Sequence, residues 1–260
     1  MPAAGPRLSF VASVRLELAK MRRLRTMPVV VVLVLTALLF AAPLSESSRA
    51  GLTDASTHPW EVLLLQYAII NALFSPILVA VLASRHTDIE HEGSGWYLAA
   101  GAGLTPGRLC RAKLAALALV EVPALLVQTA ALLALTGLLG ATVPLPWGAW
   151  AGYTVLLIGV ALAFTALHIL LAAAVDNQIV CVGIGLLGAF IAMYMFLAPQ
   201  WVARILPWGY WAMICPVVQT GRTLGAIDTI VPPLDWIAGF GALVTVGFAL
   251  ATARLDRIER

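Results

Sequence analysis

Apolar residues in this chain fall in long blocks separated by short polar breaks. Blocks at residues 26–42, 61–84, 114–140, 151–175, 179–198 and 236–255 predict six membrane-spanning helices. The first is short of the ~20 residues a bilayer needs. It ends at Pro43, Ser45, Ser47 and Ser48 and is expected to borrow a turn from residues 23–25. A membrane β-barrel would alternate apolar and polar residues over roughly ten-residue strands, and no such alternation occurs. The fold class expected is all-α and integral to the membrane, in one transmembrane domain over residues 1–260.

Three segments outside the blocks carry pattern of their own. In residues 7–25, Leu8, Val11, Val14 and Leu18 recur at helical spacing, and Arg15, Lys20, Arg22, Arg23 and Arg25 supply a basic side. This predicts an amphipathic helix lying in the headgroup plane. Residues 199–235 begin nearly as apolar as a span, but Pro207, Gly209 and Pro216 interrupt them. A re-entrant or interfacial helical hairpin satisfies such a backbone better than a crossing. Residues 85–113 are long for a connector. Acidic Asp88, Glu90 and Glu92 come first, Gly93 and Gly95 break the run, and Trp96, Tyr97 and Leu98 form an apolar knob before the turn at Thr105, Pro106 and Gly107. Charge beside an aromatic knob suits docking to another protein.

Composition agrees with a membrane protein. Hydrophobic residues make up 61% of the chain and charged residues 11%, where a soluble domain is about a quarter charged. The charge also orients the chain. Of 16 Lys and Arg residues, all but Arg49, Arg204 and Arg222 fall before span one, between spans two and three, or after span six. By the positive-inside rule those three regions face the cytoplasm, which places both termini inside a cytoplasmic membrane. The net charge of +3 then reflects topology, and no nucleic-acid partner is expected. Seven of the eight tryptophans map to the outer side, as anchors or as a surface for amphipathic molecules. Cys110, Cys181 and Cys215 form no CxxC, so no disulfide framework is expected. The first apolar run starts near Met27, too late for a cleavable leader.

Polar residues inside the spans are the remaining candidates. Glu121 and His168 fall about two turns from the inner ends of spans three and four, and Asn71 and Gln128 fall level with each other near mid-span. An unpaired charge at such depth costs roughly 3 kcal/mol or more. Each pair is expected either to hydrogen-bond between helices or to line a translocation path. Pro76 and Pro123 are expected to kink their helices. Cys181, Gly185 and Ala189 set two overlapping small-residue spacings on span five, which permit close helix approach. No catalytic set is visible, and His58, His86, His91 and His168 are too scattered to share a metal.

The order of these features resembles the permease subunits of ABC-2 type ATP-binding-cassette exporters, across essentially the whole chain. There a basic amphipathic helix precedes span one, the loop between spans two and three carries a coupling helix for the ATPase, and broken helices separate spans five and six. The run from Glu90 to Trp96 and the turn Thr105-Pro106-Gly107-Arg108 followed by Lys113 look like the family's coupling region. Leu206-Pro207-Trp208 looks like the lantibiotic-immunity and bacitracin-resistance branch. The resemblance implies an export permease for hydrophobic or amphipathic compounds such as peptide antibiotics, drugs or lipids. It implies two ATP-binding subunits and a second permease, alike or related, as partners, with Asp88, Glu90, Glu92, Gly93 and Trp96 as the coupling residues and Cys181, Gly185 and Ala189 as a dimer face. This chain binds no cofactor in that reading, because Lys20 and Lys113 both follow alanine and make no P-loop. ATP and magnesium belong to the partner. A membrane sensor for such compounds, or an intramembrane enzyme using Glu121 and His168, are the other classes the residues leave open.

Overall fold

The computed structural model describes residues 8–220 and 226–258. Arg7, Arg222 and Arg260, which enter the charge asymmetry, lie outside the described residues. The Ser9 hydroxyl accepts a hydrogen bond from the Ala12 N–H and opens helix α1 (Phe10–Arg23). Lys20, Arg22 and Arg23 occupy its last turn, where cations meet the negative end of the helix dipole. Arg25 then takes left-handed backbone, φ 51°, and α2 (Thr26–Ala41) departs at a 73° bend. α1 is amphipathic as expected, but its inward face differs from the predicted stripe. Ser13, Glu17 and Met21 point into the protein, Val14 and Leu18 pack partly against it, and Val11 stays exposed.

A short α3 (Glu46–Gly51) leads to α4 (Pro59–Glu92). At ~1.5 Å per residue α4 is about 50 Å long, so it outruns the hydrocarbon core. Then come α5 (Gly95–Gly101), α6 (Pro106–Leu138) and α7 (Trp147–Ala174). Both α4 and α6 continue as helices through Pro76 and Pro123. The presumed connector at 85–113 is therefore mostly helix: the end of α4, all of α5 and the start of α6.

Asn177 caps α8 (Gln178–Tyr194), accepting from the N–H groups of Ile179 and Val180. The segment expected as a helical hairpin divides in two. Its first half is helical and broken: α9 (Gln200–Ile205), a 3-10 turn at Pro207–Gly209, and α10 (Tyr210–Met213). Its second half is an antiparallel ribbon of β1 (Val217–Gln219) and β2 (Ile227–Thr229), which the sequence reading missed. The β-branched residues there favour extended backbone. Helix α11 (Leu234–Ile258) follows.

Four described helices are long and apolar enough to cross a membrane, α4, α6, α7 and α11, and the bent pair α1–α2 makes a fifth candidate. α8, apolar but only 17 residues long, falls short by that measure. The architecture is thus a multi-pass helical membrane protein, with the count of six resting on α2 and α8.

The core forms where small residues let helices close in. On α8, Cys181, Gly185 and Ala189 are buried against α4. A Cβ on Gly185 would overlap the Ala80 methyl and come within 3.1 Å of the Pro76 carbonyl oxygen. The predicted dimer face is therefore used inside the chain, because a small-residue stripe packs on whichever helix comes close enough. The tryptophans divide as well. Trp60, Trp150 and Trp211 are core residues, while Trp147, Trp201 and Trp236 remain exposed as interfacial anchors would be.

Candidate functional site

At one end of the bundle, α1, α4 and α6 bring five ionisable side chains together. Lys113 is 0% exposed, and its ammonium donates to Glu17 Oε2 at 2.8 Å, Glu90 Oε1 at 2.7 Å and the His86 carbonyl at 2.6 Å. All three of its protons are thus used. Lys20 reaches Glu17 Oε1 and Glu90 Oε1, each at 2.6 Å. The His86 ring lies 3.8 Å from Glu17. Two carboxylates and two ammonium groups balance, so the cluster is buried without net charge when His86 is neutral. Burial alone would raise the Glu17 carboxyl, but His86, Lys113 and Lys20 outweigh it and hold Glu17 at about 2. Lys20 is held above its ordinary value for the same reason, its two carboxylates outweighing burial.

This cluster changes the role expected of Glu90. The residue is 3% exposed and clamps three helices, so it presents no rim charge. Helicity explains the difference: α4 continues to Glu92, which turns Glu90 inward and leaves Glu92 exposed. Asp88 is half-buried near Gln178 and Cys181 at the start of α8.

Helix α5 is folded back onto this cluster. Gly93 ends α4, Ser94 adopts φ 53°, and Gly95 presses on Glu90 so closely that a Cβ would overlap its carboxylate. Trp96 is a strut. Its indole N–H donates to His91 Nδ1 at 3.4 Å, and His91 Nε2 meets the Ala172 carbonyl at the end of α7, 2.9 Å away. With Nδ1 accepting, Nε2 carries the proton and donates to that carbonyl. Of the expected knob of Trp96, Tyr97 and Leu98, only Tyr97, 83% exposed, and Leu98, 71% exposed, face outward. The other end of α11 closes the same face. Asp256 accepts from the Arg108 N–H at 3.1 Å, in the first turn of α6, and pairs with Arg111 at 2.7 Å. Gly107 leaves no room for a side chain beside Thr252 and Asp256. The start of α1, the 85–113 region and the end of α11 therefore lie on one face, as the arginine and lysine pattern requires.

The model of the ABC-2 family transporter proteins matches residues 13–193, from α1 to the end of α8 and well over half of the chain. The chain belongs to the ABC-2 transporter family. No match among curated proteins accompanies it. As a permease component of an ABC transporter it is a multi-pass membrane protein, of a family that is generally not itself catalytic.

Within the spans of this ABC-2 permease, Asn71 and Gln128 hydrogen-bond between α4 and α6, one of the two arrangements the sequence left open, Gln128 Nε2 donating to Asn71 Oδ1 at 3.2 Å. Asn71 Nδ2 donates to the Tyr67 carbonyl, and Ser75 donates to Asn71 Oδ1. Glu121 and His168 do not meet. Glu121 Oε2 pairs with the Thr165 hydroxyl at 2.7 Å, while Glu121 Oε1 and His168 Nδ1 have no hydrogen-bond partner among the described residues. Equal depth on adjacent helices did not bring them together, because depth leaves rotation about each helix axis free. All four are 1–3% exposed, and His168 faces Gly185 of α8, so each would reach a path only if the helices around it parted.

Sequence reasoning missed Glu17. Its spacing from Ser13 and Met21 was the available signal, but a single acid in a basic helix reads as a solvated one.

Proposed function

We propose that this permease is the membrane half of an ATP-driven exporter, with α5 as its contact to a separate ATPase. The observation that carries the reading is the fixing of α5 at its N-terminal end by two independent contacts, Gly95 on the ion cluster and Trp96 through His91 to α7, while the next residues, Tyr97 and Leu98, face outward. A push on that knob would be passed into α1, α4, α6 and α7 together. Two ATP-binding subunits would supply ATP and magnesium, and a second permease, alike or related, would complete the pore. Permease pairing would use a surface other than Cys181, Gly185 and Ala189. In this reading the chain is one domain of six crossings in the cytoplasmic membrane, with both termini and α5 on the cytoplasmic side. The family and the aromatic opposite face favour hydrophobic or amphipathic cargo, such as peptide antibiotics, drugs or lipids.

Co-purification tests it. The ATPase subunit should be recovered with the wild-type chain and lost with a Tyr97→Ala, Leu98→Ala double variant. Truncating a buried anchor typically costs over about 2 kcal/mol, roughly thirtyfold in affinity. Undiminished recovery and undiminished ATP-driven transport by that variant would remove α5 from the coupling role.

A further inference from the structure

On the face opposite the ion cluster, a cleft of about 430 Å3 opens between the broken helix α9 and the start of α11. Arg204 and Asp235 stand among its lining residues, and Trp236, Gly239, Phe240 and Leu243 continue it along α11. Its floor is the stacked pair Tyr210 and Phe240, with ring centroids 4.2 Å apart.

The two charges do not neutralise each other. Arg204 forms no ion pair among the described residues, although Asp235 lines the same cleft. Its guanidinium rests over the Trp236 ring at 5.1 Å, a cation–π distance. It donates one bond, to Gln200 at 3.3 Å, and its Nε is buried without an acceptor. The undescribed residues 221–225 contain no carboxylate that could serve. A guanidinium with free donors in a fixed fork suits a phosphate. A separate carboxylate in the same cleft suits an ammonium group. Below these charges α11 descends into the apolar span. There a Cβ on Gly239 would meet nothing within 4 Å, and Leu243 is 72% exposed.

We infer that this cleft binds a zwitterionic phospholipid, of the phosphoethanolamine type, from the leaflet on that face. The phosphate is held by Arg204, the ammonium by Asp235, and one acyl chain lies along Gly239 and Leu243. The bound lipid seats α9 against α11, filling a gap that protein atoms leave open. This inference does not depend on the exporter reading, and its test uses no ATPase.

The full-length chain, purified in detergent, is titrated with dioctanoyl phosphatidylethanolamine, phosphatidylglycerol or dioctanoylglycerol, and retained lipid is read by native mass spectrometry. Phosphatidylethanolamine should be retained best. Arg204→Gln should lower retention of both phospholipids roughly tenfold, the worth of a charged hydrogen bond, and leave the diacylglycerol unchanged. Asp235→Asn should lower phosphatidylethanolamine alone, to the level of phosphatidylglycerol. Gly239→Leu, which fills open space and touches neither charge, should lower all three, so a folding defect at Arg204 cannot decide the matter. Wild-type retention of phosphatidylethanolamine by both Arg204→Gln and Gly239→Leu would overturn the site. Equal retention of the two phospholipids, unaffected by Asp235→Asn, would overturn its zwitterionic character.

Discussion

The face that carries α1 and α5 and the face that carries α9 and α10 are held by different forces. At the first, Lys113, Lys20, Glu17 and Glu90 form a closed charge cluster in which every ammonium proton of Lys113 has an acceptor. At the second, aromatic rings do the joining. Phe164 of α7 meets Trp208, Trp211 and Phe240 at centroid distances of 5.5–6.1 Å, and Trp208 sits against Gly188 of α8. Hydrogen-bonded charge clusters are directional, whereas these tilted ring contacts, 39–42° between planes, depend less on exact alignment. The ion-bound end is therefore the more tightly fixed of the two, which is the property the proposed coupling through α5 would require.

The strongest way to break this contrast is to open the charge cluster. Lys113→Ala leaves the buried carboxylates with Lys20 and the His86 ring as partners, and removing one partner of a buried pair typically costs about 3–5 kcal/mol. A marked fall in melting temperature in detergent is expected. Simultaneous replacement of Glu17, Glu90 and Lys113 by apolar residues of similar size should recover much of it. A melting temperature unchanged by Lys113→Ala would mean the cluster does not hold α1.

The next effect is steric. Gly185→Val would push α8 off Ala80 and Pro76, and overpacking of this kind costs roughly 1–3 kcal/mol. Reduced thermal stability with the oligomeric state unchanged would place this stripe in intrachain packing. A changed oligomeric state at constant stability would return it to a dimer role.

Acid should weaken the ion-bound face selectively. Glu17 is held at about 2, below its ordinary value of 4.5, so its stabilisation is complete above about pH 4.5 and is lost as the pH falls towards 2. Lys20 is shifted upward, so its contribution is present at neutral pH and is lost as the pH rises through its raised value. A melting-temperature profile should therefore decline on the acid side, and Glu17→Gln should flatten that decline. An equal acid slope in wild type and variant would assign it to other groups.

Smaller still is Trp96→Phe, which keeps the ring but removes the donor to His91. A loss of about 1 kcal/mol is expected, read as faster amide exchange in α5. Glu92→Lys should have the least effect. An exposed rim charge is screened, so any weakening of ATPase recovery should appear at low salt and fade at high salt. A salt-independent loss would mean that Glu92 is buried in the complex.

Much of the fold was legible because lipid imposes it. Twenty apolar residues in a row have one stable home, and arginines at helix ends record which ends share a side. Hence the sequence determined a multi-pass helical protein, an amphipathic entry helix, a broken stretch after residue 198 and the common face of α1, the 85–113 region and the end of α11. Equal depth made both Asn71 with Gln128 and Glu121 with His168 candidate pairs, and only the first pair meets. Tertiary structure decided what depth and spacing leave free, namely the rotation of each helix about its axis. That rotation turned Glu90 from a surface acid into a buried clamp and left Tyr97 and Leu98 as the exposed knob. It separated Glu121 from His168, and it spent Cys181, Gly185 and Ala189 on α4. Burial of a charged residue depends on partners contributed by distant segments, and a one-dimensional pattern does not say which side chains will meet.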